Sequence, residues 1–87
     1  MNKYELTVIV RNEGDIEVVK KLLESYEGKI TEEKKWGKRE LAYPIKKETS
    51  AFYFTYQLEV GGSNISDFKK KLNFDDKVLR YLMLKRS

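Results

Sequence analysis

A long β-strand that changes its pattern at Gly37 is the feature that most constrains the fold of this chain. Large apolar residues stand at even positions before Gly37 and at odd positions after it: Ile30 and Trp36, then Leu41, Tyr43 and Ile45. Side chains alternate between the faces of a strand, so a one-residue change of parity moves the apolar set to the other face. A β-bulge adds one residue to the strand and so returns the apolar side chains to their original face. Glycine adopts the bulge backbone most easily. The pattern predicts one strand over residues 29–45 with a bulge at Gly37.

Pro44 indicates where this strand lies in a sheet. Proline has no N–H to donate to a neighbouring strand, so it is found at strand ends and on edge strands. The strand is therefore predicted to lie at an edge of the sheet, where its unpaired backbone groups can bind a partner.

The composition excludes several chemistries. The chain of 87 residues has no cysteine and no histidine. Disulfides and thiolate metal sites are excluded, and the most common general base and metal ligand are missing, so we expect no cofactor. A formal net charge of +4 favours anionic partners such as nucleic acid. The length predicts a single domain over residues 1–87.

The amino-terminal residues favour a cytoplasmic protein. They begin a strand pattern at once instead of a signal peptide. The sequence also has no apolar run of membrane-spanning length, so we expect no membrane partner.

Alternation of apolar and polar residues predicts three further strands. The first carries apolar side chains at even positions from Tyr4 to Val10, and the third carries them at even positions from Phe52 to Val60. The last strand is predicted over residues 78–85. Both of its parities are apolar, but an arginine is costly to bury without a partner. We therefore place Tyr81 and Met83 inward, and we place three residues outward: Arg80, Leu82 and Leu84.

Apolar residues at helical spacing predict two helices. The first carries Ile16, Val19, Leu23 and Tyr26. Gly28 is expected to close it in the left-handed conformation. The second is expected to begin with Ser63 or Asn64 as its cap, and it carries Ile65, Phe68 and Leu72.

The order strand, helix, strand, strand, helix, strand predicts an α+β fold. Right-handed crossovers interleave the two halves into a ferredoxin-like βαββαβ split sandwich. Its four-stranded antiparallel sheet has strand order 4-1-3-2, with two helices on one face. The other face stays open. An apolar pair on an open face, here Leu82 and Leu84, is typical of a surface that a partner covers.

One sequence motif resembles a known family. Trp36-Gly37-Lys38-Arg39 followed by Leu41-Ala42-Tyr43-Pro44-Ile45 is similar to bacterial small-subunit ribosomal protein six, and the resemblance covers nearly all 87 residues. It implies a structural constituent of the small ribosomal subunit in the cytoplasm, without catalysis or a small-molecule substrate. It also implies binding to the central domain of small-subunit ribosomal RNA together with ribosomal protein eighteen. Glu40 departs from the family, which more often has a basic residue there.

With the resemblance in hand, we assign candidate site residues. Those expected to bind RNA lie on or near the open face at the first and fourth strands: Lys3, Arg80 and Arg86. Those expected at the protein partner's interface are Tyr53, Leu82, Leu84, Trp36 and Arg39. Tyr53 is predicted to be an exposed aromatic residue. The basic cluster of residues 34, 35, 38 and 39 fits two uses equally, phosphate binding and protection of an edge strand.

The residues argue against two other functions of this fold. Phe52 and Phe54 share the parity of a buried face, which argues against an aromatic RNA-stacking strand. Glu13 and Asp15 occupy the place where an acylphosphatase needs a loop that binds an anion. These two acidic residues would repel a phosphate, which argues against that activity. A small-molecule-sensing regulatory domain is the remaining alternative, because a fold does not fix a function.

Overall fold

The first strand, β1, is central in the sheet of the computed structural model, which describes residues 2–86. The elements are β1 (Asn2–Val10), a 3₁₀ helix (Glu13–Asp15), α1 (Ile16–Ser25), β2 (Lys29–Ile45), β3 (Glu48–Val60), α2 (Gly62–Phe74) and β4 (Val78–Lys85). β1 pairs antiparallel with both β3 and β4, and β2 pairs antiparallel with β3. The resulting order β2-β3-β1-β4 confirms the predicted ferredoxin-like sheet.

The main core lies between this sheet and the two helices. Even-numbered residues of β1 and β3 supply the sheet side, and they pack against Phe68 and Leu72 of α2 and against Ile16, Val19 and Leu23 of α1. Phe68 is fully buried. Tyr81 and Met83 of β4 pack on the same core, as predicted. Both helices therefore cover one face of the sheet, and we call the opposite side the open face.

The bulge predicted at Gly37 is confirmed. Lys35 pairs with Phe54 and Gly37 pairs with Tyr53, which leaves Trp36 as one extra residue on β2. Gly37 has φ of 81°, in the left-handed region that favours glycine.

A second bulge in β2 was not predicted. Ile30 pairs with Leu58 and Glu32 pairs with Gln57, so Thr31 is also an extra residue. Ile30 packs on the helix side of the sheet, whereas Leu41 packs on the open face. The expectation that all the apolar residues of this strand share one face is therefore wrong for Ile30, because two bulges change the parity twice.

The end of α1 also differs from the prediction. Glu27 adopts the left-handed conformation with φ of 60°, and Gly28 does not. The N–H of Gly28 donates to the carbonyl of Leu23 at 3.0 Å, which closes the last turn. Glycine is needed at position 28 for space, because an added Cβ would collide with the Leu23 side chain.

The start of α2 also differs from the prediction. Its cap is Gly61, and neither Ser63 nor Asn64 caps the helix with a side chain. Asn64 instead donates from Nδ2 to the carbonyl of Tyr26 at 2.9 Å. This bond ties the start of α2 to the end of α1.

The turn that joins β2 to β3 bends over the open face. We call residues 41–47 the hairpin tip. Lys46 and Lys47 have φ of 49° and 70°, as a two-residue turn with left-handed central residues requires. The Nζ of Lys46 donates to the carbonyl of Val78 at 3.2 Å, so the tip reaches across to β4.

A small second core lies beneath the hairpin tip. Leu41 and Ile45 pack there on three buried residues: Ile9, Ala51 and Leu79. The end of the face that was predicted to be open is thus covered. A bulge at Leu79 makes this possible, because Ile9 pairs with Arg80 while Val10 pairs with Val78. Val78 therefore faces the helices and Leu79 faces the hairpin tip.

An ion pair ties β2 to the helix layer. The Nζ of Lys20 lies 2.9 Å from Oε2 of Glu33. This hydrogen bond holds the pKa of the Glu33 carboxyl below its ordinary value of 4.5, and it raises the pKa of Lys20. Burial raises the pKa of Tyr56, whose ring centroid lies 5.9 Å from the same Lys20 Nζ.

Gly37→Ala tests the bulge. No atom lies within 4 Å of a Cβ built at Gly37, so the cost comes from the left-handed backbone alone. We expect a loss of about 1–2 kcal/mol in the free energy of unfolding, measured by urea denaturation. Gly14→Ala is the matched control, because its Cβ also meets no atom within 4 Å and its backbone is not left-handed. Equal stability of the two variants would contradict the assignment.

Glu33→Gln tests the ion pair through its pH dependence. Because the pKa of Glu33 is lowered on folding, its stabilising effect is fully present above pH 4.5 and is lost as the pH falls through the lowered value. We expect the variant to lose about 0.5–1 kcal/mol at pH 7, the range of partly exposed ion pairs. The loss should vanish in acid.

The control for this variant is Glu40→Gln on the same strand, since Glu40 forms no ion pair within residues 2–86. Urea denaturation at both pH values is the measurement. A loss that persists in acid, or that Glu40→Gln shares, would assign the effect to something other than the pair with Lys20.

Candidate nucleic-acid interface

The pairing of β1 with β4 places an apolar edge on the open face. Leu84 pairs with Glu5 and Leu82 pairs with Thr7, so both leucines share the face of those polar residues. Leu82 is 57% exposed and Leu84 is 44% exposed. The predicted outward placement of Arg80, Leu82 and Leu84 is confirmed.

The middle of the open face is polar. Thr7 and Thr55 approach within 3.4 Å through their Oγ1 atoms. The indole Nε1–H of Trp36 donates to Oγ1 of Thr55 at 2.9 Å, and Nε2 of Gln57 donates to Oε1 of Glu5 at 3.1 Å. This network fixes Trp36 on the open face and leaves its ring as contact surface.

Trp36 forms the apolar centre of the β2 edge. Its side chain is 42% exposed. The Nζ of Lys34 lies 3.9 Å from the ring centroid, and the guanidinium carbon of Arg39 lies 6.0 Å from it. Cations at these distances over an indole ring interact favourably with its π-electrons. Lys34 and Arg39 therefore bind Trp36, a use of the basic cluster that was not among the two predicted.

The three predicted RNA-binding residues do not form one cluster. The backbone N–H of Arg86 donates to the carbonyl of Lys3 at 2.8 Å, so these two residues meet at one end of the open face. Arg80 pairs with Ile9. Ile9 is six residues along β1 from Lys3, so Arg80 lies about 20 Å from Lys3 at roughly 3.4 Å per residue.

The end of the open face at Lys3 carries mixed charge. Nη1 of Arg86 lies 3.8 Å from Oε2 of Glu5. Lys3 and Arg86 line a shallow depression that they share with Glu32 and Glu59. These carboxylates offset the two cations and weaken the attraction of this end for a phosphate.

The end at Arg80 differs from the prediction in two aromatic residues. Tyr53 was expected to be exposed, but it packs half-buried on the core under the hairpin tip. Tyr43 was expected to share one face with Leu41 and Ile45, yet those two residues pack on the second core while Tyr43 is 81% exposed. The bend of the hairpin tip, where regular pairing stops between Glu40 and Ile45, explains both, because it covers Tyr53 and turns Tyr43 outward. Alternation alone gives no signal for such a bend.

Comparison with known proteins identifies the family. The family model described as ribosomal protein S6 matches residues 3–85. The chain belongs to the ribosomal protein S6 family. Small ribosomal subunit protein bS6 of Fusobacterium nucleatum is 38% identical to it over 99% of each sequence. The bS6 protein of Microcystis aeruginosa is 36% identical, over 97% of this chain and 70% of the relative.

A solved structure agrees with this assignment. The crystal structure of 30S ribosomal protein S6 from Thermotoga maritima superposes with a TM-score of 0.83 and 25% identity. The match covers 98% of this chain and 87% of that one. The expectation of a small-subunit ribosomal protein, and with it a place in the cytoplasmic ribosome, is confirmed. Membership of this family favours the ribosomal hypothesis over a regulatory domain, and it implies a structural role.

Neither described helix is a candidate membrane span. Within residues 2–86, neither α1 nor α2 combines the length and the apolar character that a membrane span requires.

Proposed function

We propose that this chain binds the central domain of small-subunit ribosomal RNA together with ribosomal protein eighteen, as a structural constituent of the small subunit. Lys3, Arg80 and Arg86 are proposed to contact the RNA. The residues proposed to contact the partner protein are Tyr53, Leu82, Leu84, Trp36 and Arg39.

The observation that carries this proposal is the exposed pair Leu82 and Leu84 beside Arg80 on a sheet face that the helices leave bare. Burial of apolar side chains stabilises a complex by about 25 cal/mol per Å². Exposed leucines that are neighbours on one face of an edge strand are typical of a protein interface. A protein partner is therefore expected along β4.

The charge of the open face supports a joint RNA site. Glu5 and Glu59 lie beside Lys3 and Arg86, so the isolated chain offers an RNA backbone little net positive charge at that end. A partner that covers the leucines and adds its own cations would complete the site. We expect the chain alone to bind RNA poorly.

Leu82→Glu tests the partner surface. Because Leu82 is 57% exposed, the variant should fold normally. We expect the affinity for purified ribosomal protein eighteen to fall by at least about tenfold, as when a charge enters an interface core. Phe74→Glu is the control, since Phe74 is 83% exposed at the end of α2, outside the open face. Calorimetric titration is the measurement.

The same proteins test the RNA site. A central-domain RNA fragment is titrated with the chain, with ribosomal protein eighteen, and with both together. Tight binding by the pair and weak binding by the chain alone are expected. Tight, site-specific binding by the chain alone, or no binding by the pair, would overturn the proposal.

Lys3→Ala tests the predicted phosphate contact. In the complex with the partner, the variant should weaken RNA binding and lower the slope of log affinity against log salt by about one unit. Lys70→Ala on α2 should change neither. If Lys70→Ala weakens RNA binding and Lys3→Ala does not, the helix side of the sheet contacts the RNA and the choice of the open face is wrong.

A further inference from the structure

A depression under the hairpin tip joins exposed aromatic surface to an arginine. It is lined by residues 41–45 together with Tyr53 and Arg80. Tyr43 is 81% exposed and Tyr53 is half-buried at its base. Aromatic rings beside an arginine side chain are the surface on which unpaired bases of RNA stack.

The charge of this depression distinguishes it from the depressions at Lys3 and at Trp36. Its lining within residues 2–86 includes Arg80 and no carboxylate. The depression at Lys3 includes Glu32 and Glu59, and the depression at Trp36 includes Glu5, Glu32 and Glu33. Arg80 also forms no ion pair with any residue that the structure describes. Its guanidinium is therefore available to an external anion.

The walls of the depression are formed before any ligand binds. Leu41 and Ile45 are held on the core beneath by Ile9 and Leu79. Lys46 binds the carbonyl of Val78, which fixes the far end of the tip against β4. Tyr43 projects from a segment that is anchored on both sides, so a base that stacks on it need not order a loop first. A preformed site loses less conformational entropy on binding.

We propose that one unpaired nucleotide of the RNA binds here, with its base stacked on Tyr43 and its phosphate held by Arg80. This proposal rests on the proposed function, and it specifies the kind of contact: a flipped-out or looped nucleotide instead of a duplex backbone. An RNA ligand fits better than a protein one because, within residues 2–86, the only charge in the lining is a cation and its large exposed apolar side chain is the flat ring of Tyr43.

The proposal is tested in the complex with ribosomal protein eighteen, with the central-domain RNA fragment as probe. Tyr43→Ala should weaken RNA binding by about 5- to 150-fold, the effect of removing a stacking ring. Because stacking is not ionic, the salt slope should stay unchanged. Tyr43→Phe should bind like the wild type.

Two further variants complete the test. Arg80→Ala should weaken RNA binding and lower the salt slope by about one unit. Phe74→Ala removes another exposed aromatic ring, on α2, and should change nothing. Ultraviolet irradiation of the wild-type complex should join the Tyr43 peptide to a single-stranded nucleotide of the fragment, identified by mass spectrometry.

Each contrary outcome has a distinct meaning. If the wild-type pair binds RNA and Tyr43→Ala binds as tightly, the nucleotide site is wrong and the proposed function stands. If Tyr43→Ala weakens the complex with ribosomal protein eighteen in the absence of RNA, the depression is a protein contact and the inference is overturned. If the wild-type pair does not bind the RNA, the proposed function fails and this site fails with it.

Discussion

Two helices can cover only one face of a four-stranded sheet, and the rest of this structure follows from that constraint. The helix face is a continuous apolar core in which Phe68, Leu6 and Phe54 are almost completely buried. The open face has to be stable in water without a covering layer. Hydrogen-bonded threonine, glutamine and tryptophan side chains fill its middle. The hairpin tip covers one end, and the remaining apolar surface lies at the edges, where a partner can reach it.

The fold was largely predictable because alternation and helical spacing are local signals. The strand order, the buried stripes of the helices and the inward side of β4 all follow from them. The additional bulges at Thr31 and Leu79 were not predictable, because each depends on packing against a distant strand. Glu27 takes the left-handed position that was assigned to Gly28, and Gly28 is needed instead for space beside Leu23, a tertiary contact that the helical spacing does not show.

The face of the sheet that carries the candidate site was predictable, but the arrangement of the site residues on that face was not. An arginine is costly to bury, and that argument correctly placed Arg80, Leu82 and Leu84 outward. Lys3 and Arg80 were expected close together because they lie on neighbouring strands, but the register pairs Arg80 with Ile9, six residues along β1 from Lys3. Tyr43 was missed because its exposure arises from the bend of the hairpin tip, which no local pattern encodes. The functional roles of these residues remain predictions for the experiments above.

The position of β4 links partner binding to the order of folding. Leu6 pairs with Met83, so the contacts of β4 close a loop of almost the whole chain, whereas β2 and β3 meet through a two-residue turn. Closing a long loop costs more chain entropy and tends to come late. We therefore expect the leucine edge to be completed after the other strands of the sheet have paired. A partner that binds this edge distinguishes finished chains from partly folded ones, and by mass action it stabilises the finished form.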